Sequence, residues 1–237
     1  MSKSFDKEFY RELAATSHSP FKWYMTVTVA LGAINYPEEI SKLNDLLLKE
    51  IIPQSEQLNE LRKIREGLTK VCGIMGAAKT GSALRALADT TPAELMDSTY
   101  YRQDDDPQKA VRRGNEFFDR IYDSVPGHNK MKTLEASPDY YYITQELFYG
   151  RIFSFDGILG QLETGQVIVA ALLGIECHTQ AANHILGMLG NGACRKDVEE
   201  ILFLVSALQN HYGVTVKSHT QFSMPTLESS TGDGLDS

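Results

Sequence analysis

Apolar residues recur at intervals of three and four through most of this chain. The clearest run has Leu58, Leu61, Ile64, Leu68, Val71 and Met75. That spacing places the apolar side chains on one face of an α-helix, whereas the alternation typical of strands is nearly absent. We therefore predict an all-α fold of about ten helices.

The predicted helices begin and end at residues that favour helix termini. Pro37, followed by two glutamates, starts one helix, and Ser137-Pro138-Asp139 caps another. A loop is predicted over 126–137, and the Ser, Thr, Gly and Asp content of 217–237 predicts a disordered tail. The predicted helices cover 21–35, 37–51, 54–75, 77–87, a short piece from 91, 111–121, 137–148, 162–173, 176–189 and 195–212.

Charge and cysteine content exclude several classes of protein. The 237 residues carry a net charge of -8, and the pair Arg112-Arg113 is too short to be a basic patch. Nucleic acid and membrane surfaces are therefore not expected partners. Three cysteines are too few for a disulfide scaffold, which indicates a reducing compartment. The polar start lacks a signal-peptide core, and 235–237 does not match Ser-Lys-Leu, so we expect a cytoplasmic protein.

Three chemically useful side chains are spaced for one helical face. Cys177, Gln180 and His184 span almost two turns, so a thiol, an amide and an imidazole would share one stripe. No second metal ligand lies one turn from His184, and we expect neither a metal nor a cofactor. Leu172 and Ile185 are expected to supply apolar walls around the imidazole.

This stretch resembles the catalytic helix of the carboxymuconolactone decarboxylase and alkylhydroperoxidase D-like superfamily. The likeness extends over 140–213 and includes Tyr149-Gly150-Arg151-Ile152-Phe153. Redox members carry Cys-x-x-Cys-x-x-x-His, but Gln180 stands at the second Cys position. Gln166 stands where those members have a proton-relaying Glu, and Glu163 lies about one turn earlier, where it could substitute.

The resemblance implies a tandem of two helical units, similar to long fungal members. Residues 1–103 would form a degenerate unit, in which 65–74 echoes the family's Arg-Glu-Leu helix without a histidine. Residues 104–216 would form the chemically equipped unit, followed by the tail at 217–237. The resemblance also implies a homo-oligomer, either dimer or trimer, and the apolar run 201–205 is suited to such an interface.

Three functions remain open from the sequence. The first is a cofactor-free lyase or isomerase acting on a small organic acid, lactone or polyketide-like molecule, with His184 as general acid or base. The second is a thiol peroxidase or disulfide reductase, and the third is a non-catalytic binding protein. The candidate catalytic residues are His184, Cys177 and Glu163, and the candidate substrate-binding residues are Gln180, Gln166, Arg151 and Tyr149.

Overall fold

The computed structural model describes residues 5–17, 21–216 and 224–226. Over these residues it contains helices and no strands, which confirms the all-α prediction. No helix in these ranges is long and apolar enough to cross a bilayer. The predicted tail lies outside the described residues except for 224–226.

Helices of the usual α type account for most of the structure. They are α1 Lys7–Thr16, α2 Trp23–Ala33, α3 Pro37–Leu46, α4 Gln57–Lys70, α5 Cys72–Met75, α6 Ala77–Asp89, α7 Pro107–Tyr122, α8 Met131–Ala136, α9 Pro138–Tyr142, α10 Gln161–Gly174, α11 His178–Gly190 and α12 Arg195–Tyr212. Two π-helical segments, Leu47–Ile51 and Ile143–Phe153, continue α3 and α9, and Ala93–Leu95 forms a 3₁₀ turn. We call Ile143–Phe153 the second π segment.

The centre of the fold is the parallel pair α2 and α10. Every residue of α2 is buried, and so is α10 from Thr164 to Gly174. At one end of the pair Gln166 of α10 bonds to Thr26 of α2, and at the other end Gly174 lies against Ala33. Helices that are apolar all round need neighbours on every side. Here α4, α11 and α12 surround the pair.

Helix α11 folds back along α10. A Cβ on Gly165, near the start of α10, would lie 2.6 Å from Cγ of Met188, near the end of α11. That contact confirms the antiparallel packing. Helix α11 also packs against α7, which in turn lies along the second π segment. These three elements enclose the site described below.

The turns α2–α3 and α10–α11 have the same geometry. The middle residue of each has a positive φ, 68° at Asn35 and 59° at Glu176. The next amide, of Tyr36 or Cys177, donates to the carbonyl five residues earlier at 2.9 or 2.8 Å. This local likeness lies in α2–α3 rather than in 65–74, where the sequence suggested an echo. The tandem of two units stays a prediction.

Several elements differ from the sequence predictions. The predicted loop over 126–137 contains α8, whose residues are all at least partly exposed, so it carries no periodic apolar signal. The helix expected from 91 is only the 3₁₀ turn Ala93–Leu95, and none of its residues is buried. Helix α1 was not predicted; Asp6 caps it by accepting a hydrogen bond from the amide of Phe9. The Ser137 cap is confirmed, because its hydroxyl accepts from the amide of Tyr140.

Candidate functional site

A cavity of about 340 Å³ lies between α7, α11, the second π segment and the loop 123–130. That volume is at the small end of the range for sites that bind small molecules. We call it the His184 cavity. It is lined by Gly73, Ile74, Phe118, Tyr122, His128, Lys130, Thr133, Tyr140, Tyr141, Thr144, Gln145, Phe148, Tyr149, Phe153, Leu172, Ile175, Cys177, Gln180, Asn183 and His184.

His184 is the most deeply buried titratable side chain of α11. Its exposed fraction is 6%. Burial lowers the pKa of His184 from 6.5 to about 4, so the imidazole is neutral at pH 7. No hydrogen bond joins its ring nitrogens to another side chain or carbonyl within the described ranges. A neutral imidazole offers one donor and one acceptor, and both remain for a ligand.

Two tyrosines form a hydrogen-bonded chain beside His184. The Tyr149 hydroxyl donates to the Tyr122 hydroxyl at 3.3 Å, and the Tyr122 hydroxyl donates to Oε1 of Gln180, also at 3.3 Å. The Tyr122 ring meets the His184 ring edge-on, with centroids 6.0 Å apart. Burial raises the pKa of both phenols, so both are protonated hydrogen-bond donors at neutral pH.

Aromatic rings make up much of the remaining wall. Tyr149 meets Phe153 edge-on at 5.2 Å, and Tyr122 stacks on His128 at 4.1 Å between centroids. Leu172 supplies an apolar wall, as predicted. Ile185 instead packs in the core, fully buried, because it lies one position beyond His184 around the helix. The cavity therefore has flat apolar faces, which suit a planar ligand.

The charge of the cavity differs from that of the whole chain. None of the lining residues is Asp or Glu, although the chain has 31 acidic residues. Lys130 is an exposed lining residue at the mouth, beside His128, and it helps desolvation to lower the pKa of that imidazole. The buried Thr144 hydroxyl has no hydrogen-bond partner among the described residues. These features favour a ligand with anionic or polar oxygen atoms.

Cys177 lines the cavity, but it is not within the helical stripe that the sequence suggested. It is the N-cap residue of α11, with the non-helical backbone angles φ -88° and ψ 65°. The exposed Cys194 lies beyond the far end of the 13-residue helix, about 20 Å away. A disulfide requires Cα atoms within about 7 Å, so these two thiols cannot pair in this fold.

Two predicted site residues of α10 lie outside the cavity. Glu163 pairs with Nζ of Lys63 at 2.6 Å and accepts a hydrogen bond from the amide of Gly160 at 2.9 Å, which caps α10. Gln166 is buried and donates to the carbonyl of Lys22 and the hydroxyl of Thr26. Both positions of α10 face α2 and α4 rather than α11, so the Glu163 and Gln166 assignments are not supported.

Arg151 also lies outside the cavity lining. It belongs to the last turn of the second π segment, and its carbonyl accepts a hydrogen bond from Nε of Arg102 at 3.0 Å. Among the predicted residues, the structure brings together His184, Cys177, Gln180 and Tyr149.

Sequence reasoning missed Tyr122, His128, Lys130 and Asn183. The first three lie at the end of α7 and in the following loop, where no motif of the resembled family occurs. The Tyr-rich stretch 140–142 was a usable signal, since Tyr140 and Tyr141 both line the cavity. Within the described ranges, no group of three or more His, Cys, Asp or Glu side chains is arranged to hold a metal ion.

Comparison with known proteins gives two fungal relatives. The chain is 26% identical over 198 residues to Peroxisomal protein 2 of Schizosaccharomyces pombe, covering 84% of this chain and 90% of that protein. It is 24% identical over 260 aligned positions to Peroxisomal protein 2 of Saccharomyces cerevisiae, covering 83% and 90%. No family model and no solved structure matches the chain.

Proposed function

We propose that this protein is an enzyme that performs acid–base chemistry on a small organic acid held in the His184 cavity. The observation that carries the proposal is a buried, neutral imidazole bordering a cavity that contains a lysine but no carboxylate. A carboxylic acid, lactone acid or polyketide-like acid fits both its charge and its size. The resemblance to carboxymuconolactone decarboxylases favours decarboxylation or isomerisation.

Because its pKa is low, His184 can act as an effective base only when substrate is bound. A histidine with a pKa of about 4 is a weak base in the empty cavity. An anion placed beside it would favour the imidazolium and raise that pKa towards neutrality. Lys130 at the mouth would attract the same anion. Substrate binding therefore switches on the base.

A binding experiment with matched probes tests this proposal. Benzoate and benzamide have nearly the same shape but differ in charge, so calorimetry on the full chain should show benzoate binding at least ten-fold more tightly. Lys130→Gln should remove most of that preference. In the NMR spectrum, saturating benzoate should raise the pKa of His184 and should not move the resonances of His178, which does not line the cavity.

Two outcomes would contradict the proposal. Equal affinity for the acid and the amide would show that charge does not select the ligand. A His184 pKa that stays near 4 with benzoate bound would show that an anion in the cavity does not activate the imidazole. Binding of the acid at an unrelated surface is recognised by the absence of chemical-shift changes at His184.

We also propose a peroxisomal location, in place of the cytoplasmic one expected from the sequence. The support is the name shared by the two fungal relatives. The full chain with a fluorescent protein at its N-terminus should coincide with a peroxisomal marker in yeast cells. A diffuse cytoplasmic signal would contradict this assignment.

The homo-oligomer stays a proposal. In the run 201–205, Ile201, Leu204 and Val205 are buried within the chain, while half of Phe203 is exposed. An exposed phenylalanine of this kind is suited to contact a second copy. Light scattering at micromolar concentration should give a dimer or trimer mass, and a monomer would contradict the proposal.

A further inference from the structure

The direction of the hydrogen bonds leaves one proton available in the His184 cavity. The buried Tyr149 hydroxyl donates to the oxygen of Tyr122, so the Tyr122 proton points away from Tyr149. It is donated to Oε1 of Gln180 at 3.3 Å. The Gln180 side chain is exposed and can turn aside. Tyr122 can therefore donate its hydrogen bond to a ligand oxygen instead of to Gln180.

Tyr149 makes Tyr122 a better donor. A hydroxyl that accepts a hydrogen bond is polarised and donates more strongly. Both phenols are buried or half-buried in a largely apolar wall, where donors held in place before the reaction stabilise a developing negative charge most effectively. The two rings are also braced by Phe118, which meets Tyr149 edge-on at 4.8 Å and packs on Tyr122 at 4.4 Å.

We propose that Tyr122 stabilises an enolate oxygen and that the substrate is an acid or lactone with a carbonyl group next to the reacting carbon. This inference rests on the proposed function. Tyr122 and His184 line the same cavity with ring centroids 6.0 Å apart, so one small substrate can touch both groups. His184, the base, would then contact the reacting carbon, and Tyr122, the oxyanion donor, would contact the oxygen of the adjacent carbonyl group. In this assignment Tyr122 is a catalytic residue and Tyr149 a positioning residue.

The step balances without any co-reactant. For isomerisation, His184 takes a proton from the carbon beside the carbonyl. The C–H electron pair becomes the enolate double bond, and the carbonyl π pair moves to the oxygen that Tyr122 contacts. His184 then returns the proton to the far carbon of a C=C bond conjugated with the enolate, so that the C=O bond re-forms and the C=C bond moves by one position. For decarboxylation, the C–CO₂ bond breaks instead, its electron pair forms the enolate, CO₂ leaves, and a proton from solvent through His184 closes the reaction.

The phenolate of 4-nitrophenol is a coloured probe for such an oxyanion. Wild-type full chain should bind the phenolate and blue-shift its absorption band, and Tyr122→Phe should weaken binding about ten-fold or more. Tyr149→Phe should lose less affinity for the phenolate than Tyr122→Phe does. Its bound phenolate should absorb at a wavelength between those of the wild-type complex and of the free phenolate. Tyr142→Phe is the matched control, because Tyr142 is 58% exposed and does not line the cavity.

Neutral 4-nitrotoluene separates the possible failures. Its affinity should be the same for wild type and Tyr122→Phe, which also shows that the variant is folded. If Tyr122→Phe keeps full affinity and the band shift for the phenolate, the Tyr122 assignment is wrong while the proposed function stands. If only Lys130→Gln loses the phenolate, the anion is held by the ammonium group, which also overturns the assignment. If neither probe binds wild type, both proposals fail.

Discussion

Gly114 of α7 and Gly150 of the second π segment bring two backbones into direct contact. A Cβ on Gly114 would lie 2.5 Å from both Cα and N of Gly150, and 2.7 Å from the carbonyl carbon of Tyr149. Heavy atoms do not approach so closely, and backbone atoms cannot swing aside as a flexible side chain can. This contact sets how closely the second π segment packs against α7, and hence the distance between Tyr149 and Tyr122.

Gly114→Ala should destabilise the protein by about 3 kcal/mol, because the methyl group forces α7 and the second π segment apart. Urea denaturation followed by circular dichroism measures the change. Gly81→Ala is the matched control: its Cβ would meet only the flexible end of Arg85, at 3.1 Å. Within α6 that change should be neutral or stabilise by about 0.5 to 1 kcal/mol. Equal effects of the two substitutions would contradict the role of the Gly114 contact.

The low pKa of His184 makes the stability depend on pH. The folded value of about 4 lies below the unfolded value of 6.5, so between these pH values the unfolded chain binds a proton that the folded chain does not. The free energy of unfolding does not depend on His184 titration above pH 6.5, and it decreases as the pH falls from 6.5 towards 4. The loss should be about 3 kcal/mol.

Carboxylates also titrate in this range, so the measurement compares wild type with His184→Gln. The free energy of unfolding of the variant, relative to that of wild type, should increase by about 3 kcal/mol as the pH falls from 7 to 4, because only wild type loses stability through His184. Urea titrations at the two pH values measure it. A difference that does not change with pH would show that His184 titrates normally in the folded protein.

Lys70 should be important for the position of the cavity wall. Its fully buried Nζ donates to the carbonyls of Ile152 at 3.1 Å, Phe153 at 2.7 Å and Phe155, and Phe153 lines the cavity. Lys70→Met should cost about 3 kcal/mol, because it removes the Nζ donor from the carbonyls of Phe153 and Phe155 and leaves that of Ile152 only the 3.5 Å bond from Arg102. Lys49→Met, which removes an exposed pair with Asp45, should stay within about 0.5 kcal/mol. Chemical denaturation distinguishes the two.

His184→Ala should reduce turnover about 10²-fold or more once a substrate acid is in hand, since that is the usual cost of losing a general acid or base. Cys177→Ser should cost little, because no second cysteine lines the cavity. Steady-state kinetics measures the turnover of both variants relative to wild type. The reverse pattern, activity lost with Cys177→Ser and kept with His184→Ala, would favour the thiol peroxidase function instead.

The parts of the fold with periodic apolar residues were predictable. Helices such as α4 and α12 bury one face, so their sequences carry the spacing of three and four, whereas α10 is apolar all round. Helix α8 buries no residue, and its sequence gives no such signal. The placement of His184, Gln180 and Tyr149 at one cavity was also predictable, because the resemblance covers them.

The opposite wall of the cavity was not predictable from local pattern. Tyr122, His128 and Lys130 reach the cavity through packing between α7 and α11, which depends on close glycine contacts such as that of Gly187 with Ile121. Glu163 and Gln166 were assigned to the site but lie outside the cavity, for a related reason. Helical spacing shows which residues share a face, but it does not show which neighbour that face meets.

The second π segment makes the composition of the cavity depend on chain length. A π-helix holds one more residue per turn than an α-helix, and this segment carries Thr144, Phe148, Tyr149 and Phe153 into the wall. Loss of a single codon early in the segment would allow an ordinary α-helix to form. Side chains within the segment would then turn relative to the cavity, while those beyond it would keep their directions, because the shorter helix has lost the extra residue. Related genes can therefore exchange one set of lining side chains for another by a one-residue indel, without a single substitution.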